Sequence, residues 1–267
     1  MSSPLYWQTS GSGPDVVLLH GWGMNGAIWQ QTVEQLSQYC CVHVVDLPGY
    51  GHSRDTHADD LAAMAELLMA QAPQTAVWIG WSMGGLIASH LALYYPQRVS
   101  QLITVASSPK FSAENMVGGR PWRGIQSKVL AEFTQQLKKD FNNTIEQFMA
   151  LQVMGSPSAR EDVQALKQAV LSRPTPNSDA LHYGLNLLAQ CDLRQDLIAI
   201  EQPFLRIYGR LDGLVPVKVA ADLDRHLPHS SSVIMTHSSH APFITEPQLF
   251  VKEVIEFIEH NRHARTV

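Results

Sequence analysis

Short, mostly apolar runs of four or five residues constrain the fold of this chain more than any other feature. Their positions are 16–19, 41–45, 75–79, 102–106, 204–208 and 232–235. Continuous runs of this length are typical of strands buried on both faces of a parallel sheet. Stretches with helical spacing lie between them at 60–71 and 83–95, and a third follows the last run at 248–260. This alternation predicts an α/β fold, in which helices flank a mostly parallel sheet.

The alternation stops near position 110. From Ile125 to Val153, and in two later stretches, apolar residues recur at steps of three and four, which indicates helices. About 80 residues pass in this way without a predicted strand. We therefore predict one α/β core made of 1–110 and 191–267, with 111–190 inserted as a helical cap, or lid.

The composition excludes several classes of protein. The chain has 267 residues, 45% of them hydrophobic and 16% charged, which fits a large, well-filled core. The net charge of -5 disfavours a nucleic-acid-binding protein. The three cysteines, at 40, 41 and 191, have no metal-like spacing, and we expect a reducing compartment without disulfides. With no signal peptide, membrane span or nucleotide-binding loop visible, we expect a cytoplasmic monomer without metal or cofactor.

The segment Gly80-Trp-Ser-Met-Gly84 places a serine between two glycines, directly after a predicted strand and before a predicted helix. This is the strand–turn–helix setting of a nucleophile elbow. Such a turn strains the serine backbone, and the glycines let strand and helix approach closely. The hydroxyl of Ser82 would then project above the carboxyl edge of the sheet, near a helix N-terminus that favours developing negative charge. The alternative interpretation is an ordinary glycine turn.

A serine nucleophile needs a base and an orienting acid at neutral pH. In this kind of fold they follow the serine in the order Asp or Glu, then His. Asp212 and His240 each come after one of the last two predicted strands. His237 is the serious alternative base. Asp192 and Asp196 are less favoured candidates for the orienting acid, because they precede the late strands. The alternative interpretation of Asp212 is an ordinary turn residue.

Ester hydrolysis also builds negative charge on a carbonyl oxygen, which backbone N–H donors stabilise. Met83 follows the serine, and its N–H is the first expected donor. The loop His20-Gly-Trp-Gly23 follows the first predicted strand, and the N–H of Trp22 is the second expected donor. The alternative for this loop is again a plain glycine turn.

With these residues assembled, the sequence resembles the α/β-hydrolase superfamily over nearly its whole length. The motifs are HGWG at 20–23, DLPGYG at 46–51, GWSMG at 80–84, GRLDGLVP at 209–216 and SSHAPF at 238–243. Through these stretches, and through ITVASSPKFSA and FMALQVMG, it is also similar to a carboxylesterase family of biotin biosynthesis. Members of that family act on the methyl ester of pimeloyl-[acyl-carrier protein].

The resemblance implies that the ester is hydrolysed to pimeloyl-[acyl-carrier protein] and methanol. Ser82 would attack the carbonyl, His240 would act as base and Asp212 would orient the imidazole. The acyl chain would lie near the oxyanion loop and the cap segment 148–152. The residues implied to contact substrate are Trp22, Ser82, Met83, Phe148, Met149, Ala150, Leu151, Gln152 and His240.

The carrier protein of that family is acidic, and arginines on the cap help to hold it. Arg160 lies in the corresponding region, and Lys138, Lys139 and Lys167 are candidates for the other basic positions. Three positions where the resemblance leads us to expect basic residues instead hold Asn143, Gln147 and Gln164. The docking surface therefore departs from the family pattern more than the catalytic motifs do.

The same motifs leave other functions open. A broad-specificity short-chain carboxylesterase, or a carbon–carbon bond hydrolase, would use the same triad, because specificity resides in the cap. A catalytically inactive relative that serves as a ligand receptor or scaffold is disfavoured, because Ser82, Asp212 and His240 are all present.

Overall fold

The computed structural model describes residues 4–117 and 120–263. The strands are β1 (Trp7–Ser10), β2 (Asp15–Leu19), β3 (Cys41–Val45), β4 (Ala76–Trp81), β5 (Val99–Val105), β6 (Glu114–Val117), β7 (Arg120–Trp122), β8 (Phe204–Gly209) and β9 (Ser230–Met235). The helices are α1 (Gln30–Leu36), α2 (Leu61–Met69), α3 (Met83–Tyr94), α4 (Ser127–Lys139), α5 (Phe141–Val153), α6 (Ala159–Leu171), α7 (Ser178–Gln190), α8 (Lys218–His226), α9 (Pro242–Thr245) and α10 (Pro247–His263).

Seven of the strands form one sheet in the order β1-β3-β2-β4-β5-β8-β9. All neighbours are parallel except β1, which pairs antiparallel with β3. The central strands β4 and β8 bury every residue, because helices cover both faces of the sheet. The predicted α/β fold with a mostly parallel sheet is confirmed.

Four helices, α4 to α7, lie between β5 and β8 in the chain, and residues of this segment contact loops that follow sheet strands. The indole N–H of Trp22, after β2, donates to the carbonyl of Leu181 in α7 at 2.8 Å. Arg173, after α6, forms an ion pair of 2.6 Å with Asp46, after β3. Asp46 is fully buried, so this contact ties the inserted helices to the edge of the sheet.

Two features of the fold differ from the prediction. The segment expected to lack strands contains the antiparallel ribbon of β6 and β7, in which Glu114 pairs with Trp122. These short strands pair only with each other among the described residues, so they need no continuous apolar run. The long helical stretch from 125 to 153 is divided at Asp140, whose carboxylate accepts the N–H of Asn143 and so begins α5. No helix within the described ranges has both the length and the apolar character to cross a membrane.

Candidate active site

Ser82 lies on the sharp turn between β4 and α3 that the glycine spacing predicts. Its backbone is left-handed, with φ 54° and ψ -119°, a conformation that costs on the order of 1–3 kcal/mol for a residue with a side chain. A Cβ on Gly80 would clash with the carbonyl oxygen of Gly84, and a Cβ on Gly84 would lie 2.6 Å from the carbonyl oxygen of Leu19. Both glycines are therefore required by the close approach of strand, turn and helix.

The structure brings Ser82, His240 and Asp212 together in one hydrogen-bonded relay. His240 Nε2 lies 2.9 Å from Ser82 Oγ, and His240 Nδ1 lies 2.8 Å from Asp212 Oδ2. The other oxygen of Asp212, Oδ1, accepts the N–H groups of Leu214 and Val215 at 2.8 and 2.9 Å. All three side chains of the relay are buried, so their interactions are little screened by water.

The backbone of His240 is held from two directions. The indole N–H of Trp81 donates to its carbonyl at 2.7 Å, and its own N–H donates to the carbonyl of Gln152 in α5 at 2.9 Å. The alternative base, His237, is 70% exposed and faces Glu246 instead. The alternative acid Asp192 is engaged in an ion-pair cluster with Lys110 and Arg194. The structure thus brings His240 and Asp212 to the serine and leaves those alternatives elsewhere.

The loop of the predicted oxyanion donors lies against Ser82. A Cβ built on Gly21 would lie 3.2 Å from the Cβ of Ser82, which shows how closely the two backbones approach. Trp22 follows Gly21, and Met83 follows Ser82, so both expected donors belong to the backbone around the hydroxyl. Their N–H groups at this position could stabilise negative charge on a bound carbonyl oxygen.

His20 fixes this loop, a role that the sequence analysis did not assign to it. Its Nδ1–H donates to the carbonyl of Gly21 at 2.9 Å, and its Nε2 accepts the N–H of Leu47 at 3.0 Å. Burial lowers the pKa of His20 to about 4, so the ring is neutral near pH 7. The only sequence signal for this role is its place at the start of the HGWG motif.

The implied substrate residues of α5 divide between two faces of the helix. Phe148, Met149 and Gln152 are buried, and the ring of Phe148 meets the indole of Trp22 edge-on at 4.8 Å. Both amide atoms of Gln152 are buried without a hydrogen-bond partner in the described structure. Ala150 is exposed and Leu151 half-buried, and these two line an outer groove instead. Helical geometry separates the positions, because residues 148 and 152 share a face that 150 does not.

The candidate carrier-docking residues are spread along the outer surface of the inserted helices. Arg160 and Lys167 line the outer groove, which has a volume of about 830 Å³. Lys167 also pairs with Glu146 at 3.0 Å. Lys139 is exposed at the end of α4, and the side chain of Lys138 lies outside the described residues.

The arrangement of the relay permits covalent acyl transfer. A neutral imidazole that accepts from the hydroxyl of Ser82 can remove its proton during attack, and a buried carboxylate can stabilise the resulting imidazolium. Within the described part of the chain, metal-ligating side chains converge at Asp15, Cys41 and His43, near the amino edge of the sheet and away from the relay.

Comparison with known proteins gives matches over nearly the whole chain. A family model described as alpha/beta hydrolase fold matches residues 14–247. A curated protein of Vibrio campbellii named pimeloyl-[acyl-carrier protein] methyl ester esterase is 64% identical over 257 residues, 96% of this chain and 99% of that protein. A protein with the same name from Vibrio cholerae is 58% identical, over 96% of this chain and 99% of that protein. Another from Aliivibrio fischeri is 54% identical, over 99% of this chain and 100% of that protein.

Solved structures support the fold. An esterase from Exiguobacterium antarcticum superposes with a TM-score of 0.84 at 24% identity, covering 96% of this chain and 95% of that one. A bromoperoxidase from Bacillus anthracis superposes with the same TM-score at 19% identity and the same coverage. At these identities the similarity concerns the fold alone.

Proposed function

The chain belongs to the alpha/beta hydrolase fold family, and we propose that it is a serine carboxylesterase that hydrolyses the methyl ester of pimeloyl-[acyl-carrier protein]. The products are pimeloyl-[acyl-carrier protein] and methanol, in biotin biosynthesis. The observation that supports this most strongly is a buried Ser82–His240–Asp212 relay, with links of 2.9 and 2.8 Å, in a chain 64% identical to a protein of that name.

In the proposed reaction, Ser82 Oγ attacks the ester carbonyl while His240 Nε2 takes the hydroxyl proton. The N–H groups of Trp22 and Met83 stabilise the negative charge on the tetrahedral intermediate. His240 then protonates the departing methanol, which leaves an acyl-enzyme on Ser82. Water attacks this ester with His240 again as base. The bond between the acyl carbon and Ser82 Oγ breaks as His240 returns the proton to Oγ, and the free carboxylate leaves. Asp212 holds the imidazole and stabilises its charged form in both steps.

The walls around the relay support an acyl substrate that carries polar groups. Phe148, Met149 and the indole of Trp22 offer an apolar surface to the methylene chain. The unpartnered amide of Gln152 offers a hydrogen-bond donor and acceptor in the same buried region. A buried amide without a partner is costly, and a carbonyl group of the substrate would satisfy its N–H. In this proposal residues 111–190 act as the cap that carries this wall.

The carrier protein would bind on the outer side of the cap. Arg160 and Lys167 border the groove that Ala150 and Leu151 line, and Lys138 and Lys139 end α4, the helix whose Phe133 lines the same groove. Positive side chains beside an apolar groove suit an acidic carrier that presents an acylated arm. The cysteines described in the structure are free thiols, which supports the cytoplasm as the compartment, and a monomer stays the expected assembly.

Hydrolysis of two substrates tests the proposal. The wild-type enzyme is expected to hydrolyse both p-nitrophenyl acetate and the methyl ester of pimeloyl-[acyl-carrier protein], and Ser82→Ala is expected to lose both activities. His237→Ala is the matched control and should retain them. Equal rates for wild type and Ser82→Ala would exclude the serine mechanism.

Growth in the cell separates the specific esterase from a general one. The gene is expected to restore growth of a biotin-requiring strain that lacks its own methyl esterase, and the Ser82→Ala gene is not. A well-expressed enzyme that hydrolyses p-nitrophenyl acetate but neither restores growth nor cleaves the carrier-bound ester would establish a broad-specificity esterase instead.

A further inference from the structure

Three side chains with metal-ligating atoms meet at the amino edge of the sheet. Asp15 is the first residue of β2, and Cys41 and His43 lie on β3. One ligand atom from each lies within 4.8 Å of the others. The catalytic relay lies beyond the carboxyl ends of the strands, so this cluster has no part in the proposed hydrolysis.

The strand pairing fixes the cluster in place. Asp15 pairs directly with Cys41 in the parallel ladder of β2 and β3. Cys41 and His43 are two residues apart on one strand, so their side chains share a face of the sheet. Thr9 of β1 pairs with His43 from the other side, and its hydroxyl lies 2.9 Å from His43 Nδ1. The backbone hydrogen bonds of three strands thus hold all four side chains on one face.

We propose that Asp15, Cys41 and His43 bind a thiophilic divalent transition-metal ion of the Zn²⁺ type, with water as the fourth ligand. A thiolate, an imidazole and a carboxylate are the three ligand types that Zn²⁺ takes from proteins. Zinc–ligand bonds of about 2.0–2.3 Å place tetrahedral ligand atoms roughly 3.4–3.8 Å apart. Small rotations of side chains that already lie within 4.8 Å of one another reach that geometry.

The outer contacts of the cluster suit a bound ion. His43 Nε2 now lies 2.7 Å from Asp15 Oδ1, so both atoms already face the centre of the proposed site. With an ion bound, Nε2 would supply its lone pair while Nδ1–H donates to the hydroxyl of Thr9. Most metal-binding histidines have such a partner: the second ring nitrogen donates its N–H to a neighbouring group, which fixes the tautomer.

The charges balance in the occupied site. Binding of the ion to a Cys41 thiolate releases the proton of the thiol. The thiolate and the carboxylate then neutralise the two positive charges of the ion. Water can reach the site, because the Asp15 side chain is 39% exposed.

The expected consequence is stabilisation of one end of the sheet. The proposed site joins β2 to β3 through ligands, and β1 through the hydrogen bond of Thr9. An ion that binds the folded chain and not the unfolded one stabilises the fold by RT ln(1 + c/Kd), where c is the concentration of the free ion, so the melting temperature rises with that concentration. Hydrolysis should not respond, because the cluster lies at the edge opposite the relay.

Cobalt titration of the tag-free, metal-stripped enzyme tests the site. Wild type is expected to bind one equivalent of Co²⁺ with thiolate-to-cobalt charge-transfer absorption, which Zn²⁺ abolishes by competition. Cys41→Ser should lose that absorption. Thr9→Val removes only the hydrogen-bond partner of His43 and should weaken Zn²⁺ binding by about 10–100-fold. Cys41→Ser removes a ligand and should weaken Zn²⁺ binding by more than Thr9→Val does. Cys191→Ser is the matched control and should behave as wild type. His43→Gln, as a second ligand variant, should also weaken binding.

Circular dichroism and esterase activity identify any variant that fails to fold, so that loss of metal binding is judged only on folded protein. One equivalent of Zn²⁺ should raise the melting temperature of wild type and of Cys191→Ser but not of Cys41→Ser. The proposal is wrong if charge-transfer absorption persists in Cys41→Ser, if it vanishes in Cys191→Ser, or if folded wild type binds Co²⁺ without any thiolate band.

Discussion

Replacement of Asp212 by asparagine exchanges one carboxylate oxygen for an amide nitrogen, and the surrounding donors dictate how the new side chain must lie. Oδ1 of Asp212 accepts two backbone N–H groups, from Leu214 and Val215. Only the amide oxygen can take that place, because an NH₂ group there would face two donors. The amide nitrogen must therefore occupy the position of Oδ2, 2.8 Å from His240 Nδ1.

This orientation forces the wrong tautomer on the base. The NH₂ group donates to His240 Nδ1, so the ring proton moves to Nε2, which faces Ser82 Oγ at 2.9 Å. A protonated Nε2 cannot accept the hydroxyl proton. The loss in kcat expected from such a tautomer change is on the order of 10⁴-fold. At about 1.36 kcal/mol for each factor of ten, the transition state loses about 5.5 kcal/mol.

Steady-state hydrolysis of p-nitrophenyl acetate measures the effect. Asp212→Asn should lower kcat by this amount and leave KM close to that of wild type, while both backbone N–H bonds and the free energy of unfolding are retained. Asp192→Asn is the matched control, because Asp192 belongs to a surface ion-pair cluster, and its kcat should be unchanged. A kcat for Asp212→Asn within about tenfold of wild type would refute the tautomer argument.

Three further predictions concern stability and binding. Arg173→Met removes the cation that pairs with the buried Asp46 and should lower the free energy of unfolding, measured in urea, by about 3 kcal/mol. Arg54→Met, at an exposed arginine, is the control, and an equal loss of stability in the two variants would contradict a role for the buried ion pair. His20 has a folded pKa of about 4 against 6.5 unfolded, so its stabilisation is complete above pH 6.5 and is lost as the pH falls toward 4. The free energy of unfolding should therefore fall by about 2 kcal/mol between pH 7 and pH 5. If His20→Gln shows the same fall over this pH range, the pH dependence comes from another group. Gln152→Leu removes a buried amide without a partner, so it should raise the free energy of unfolding by about 1 kcal/mol or more. It should also raise KM for the carrier-bound ester, and an unchanged KM would show that the amide does not bind substrate.

Sequence patterns predicted the parts of the fold whose environment is uniform along the chain. β4 and β8 are buried on both faces, so each leaves a continuous apolar run. β1 left no such run because it is a partly exposed edge strand, and β6 and β7 pair only with each other in the described structure. Helical spacing alone could not locate the break at Asp140, which depends on one capping carboxylate.

The same distinction, between local and distant partners, applies to the residues of the candidate site. The position of Ser82 was predictable because strand, glycines and helix are contiguous around it. Arg173 gave no local signal, because its partner Asp46 lies 127 residues away. The only signal for His20 was its place in the HGWG motif, because the Leu47 whose N–H it accepts lies 27 residues away. The division of 148–152 between two faces follows from helix geometry once the helix is known. The cluster of Asp15, Cys41 and His43 has no recognisable spacing, because its ligands come from two strands that only the sheet brings together.

The pairing of β5 with β8 has a consequence for synthesis of the chain. These neighbours are separated by the whole inserted segment, so the hydrogen-bonding edge of β5 emerges from the ribosome roughly 100 residues before its partner. At about 5–20 residues per second, that edge stays open for on the order of 5–20 s. During this interval the nascent chain exposes an apolar strand that can pair with other chains, and chaperone protection is then most needed.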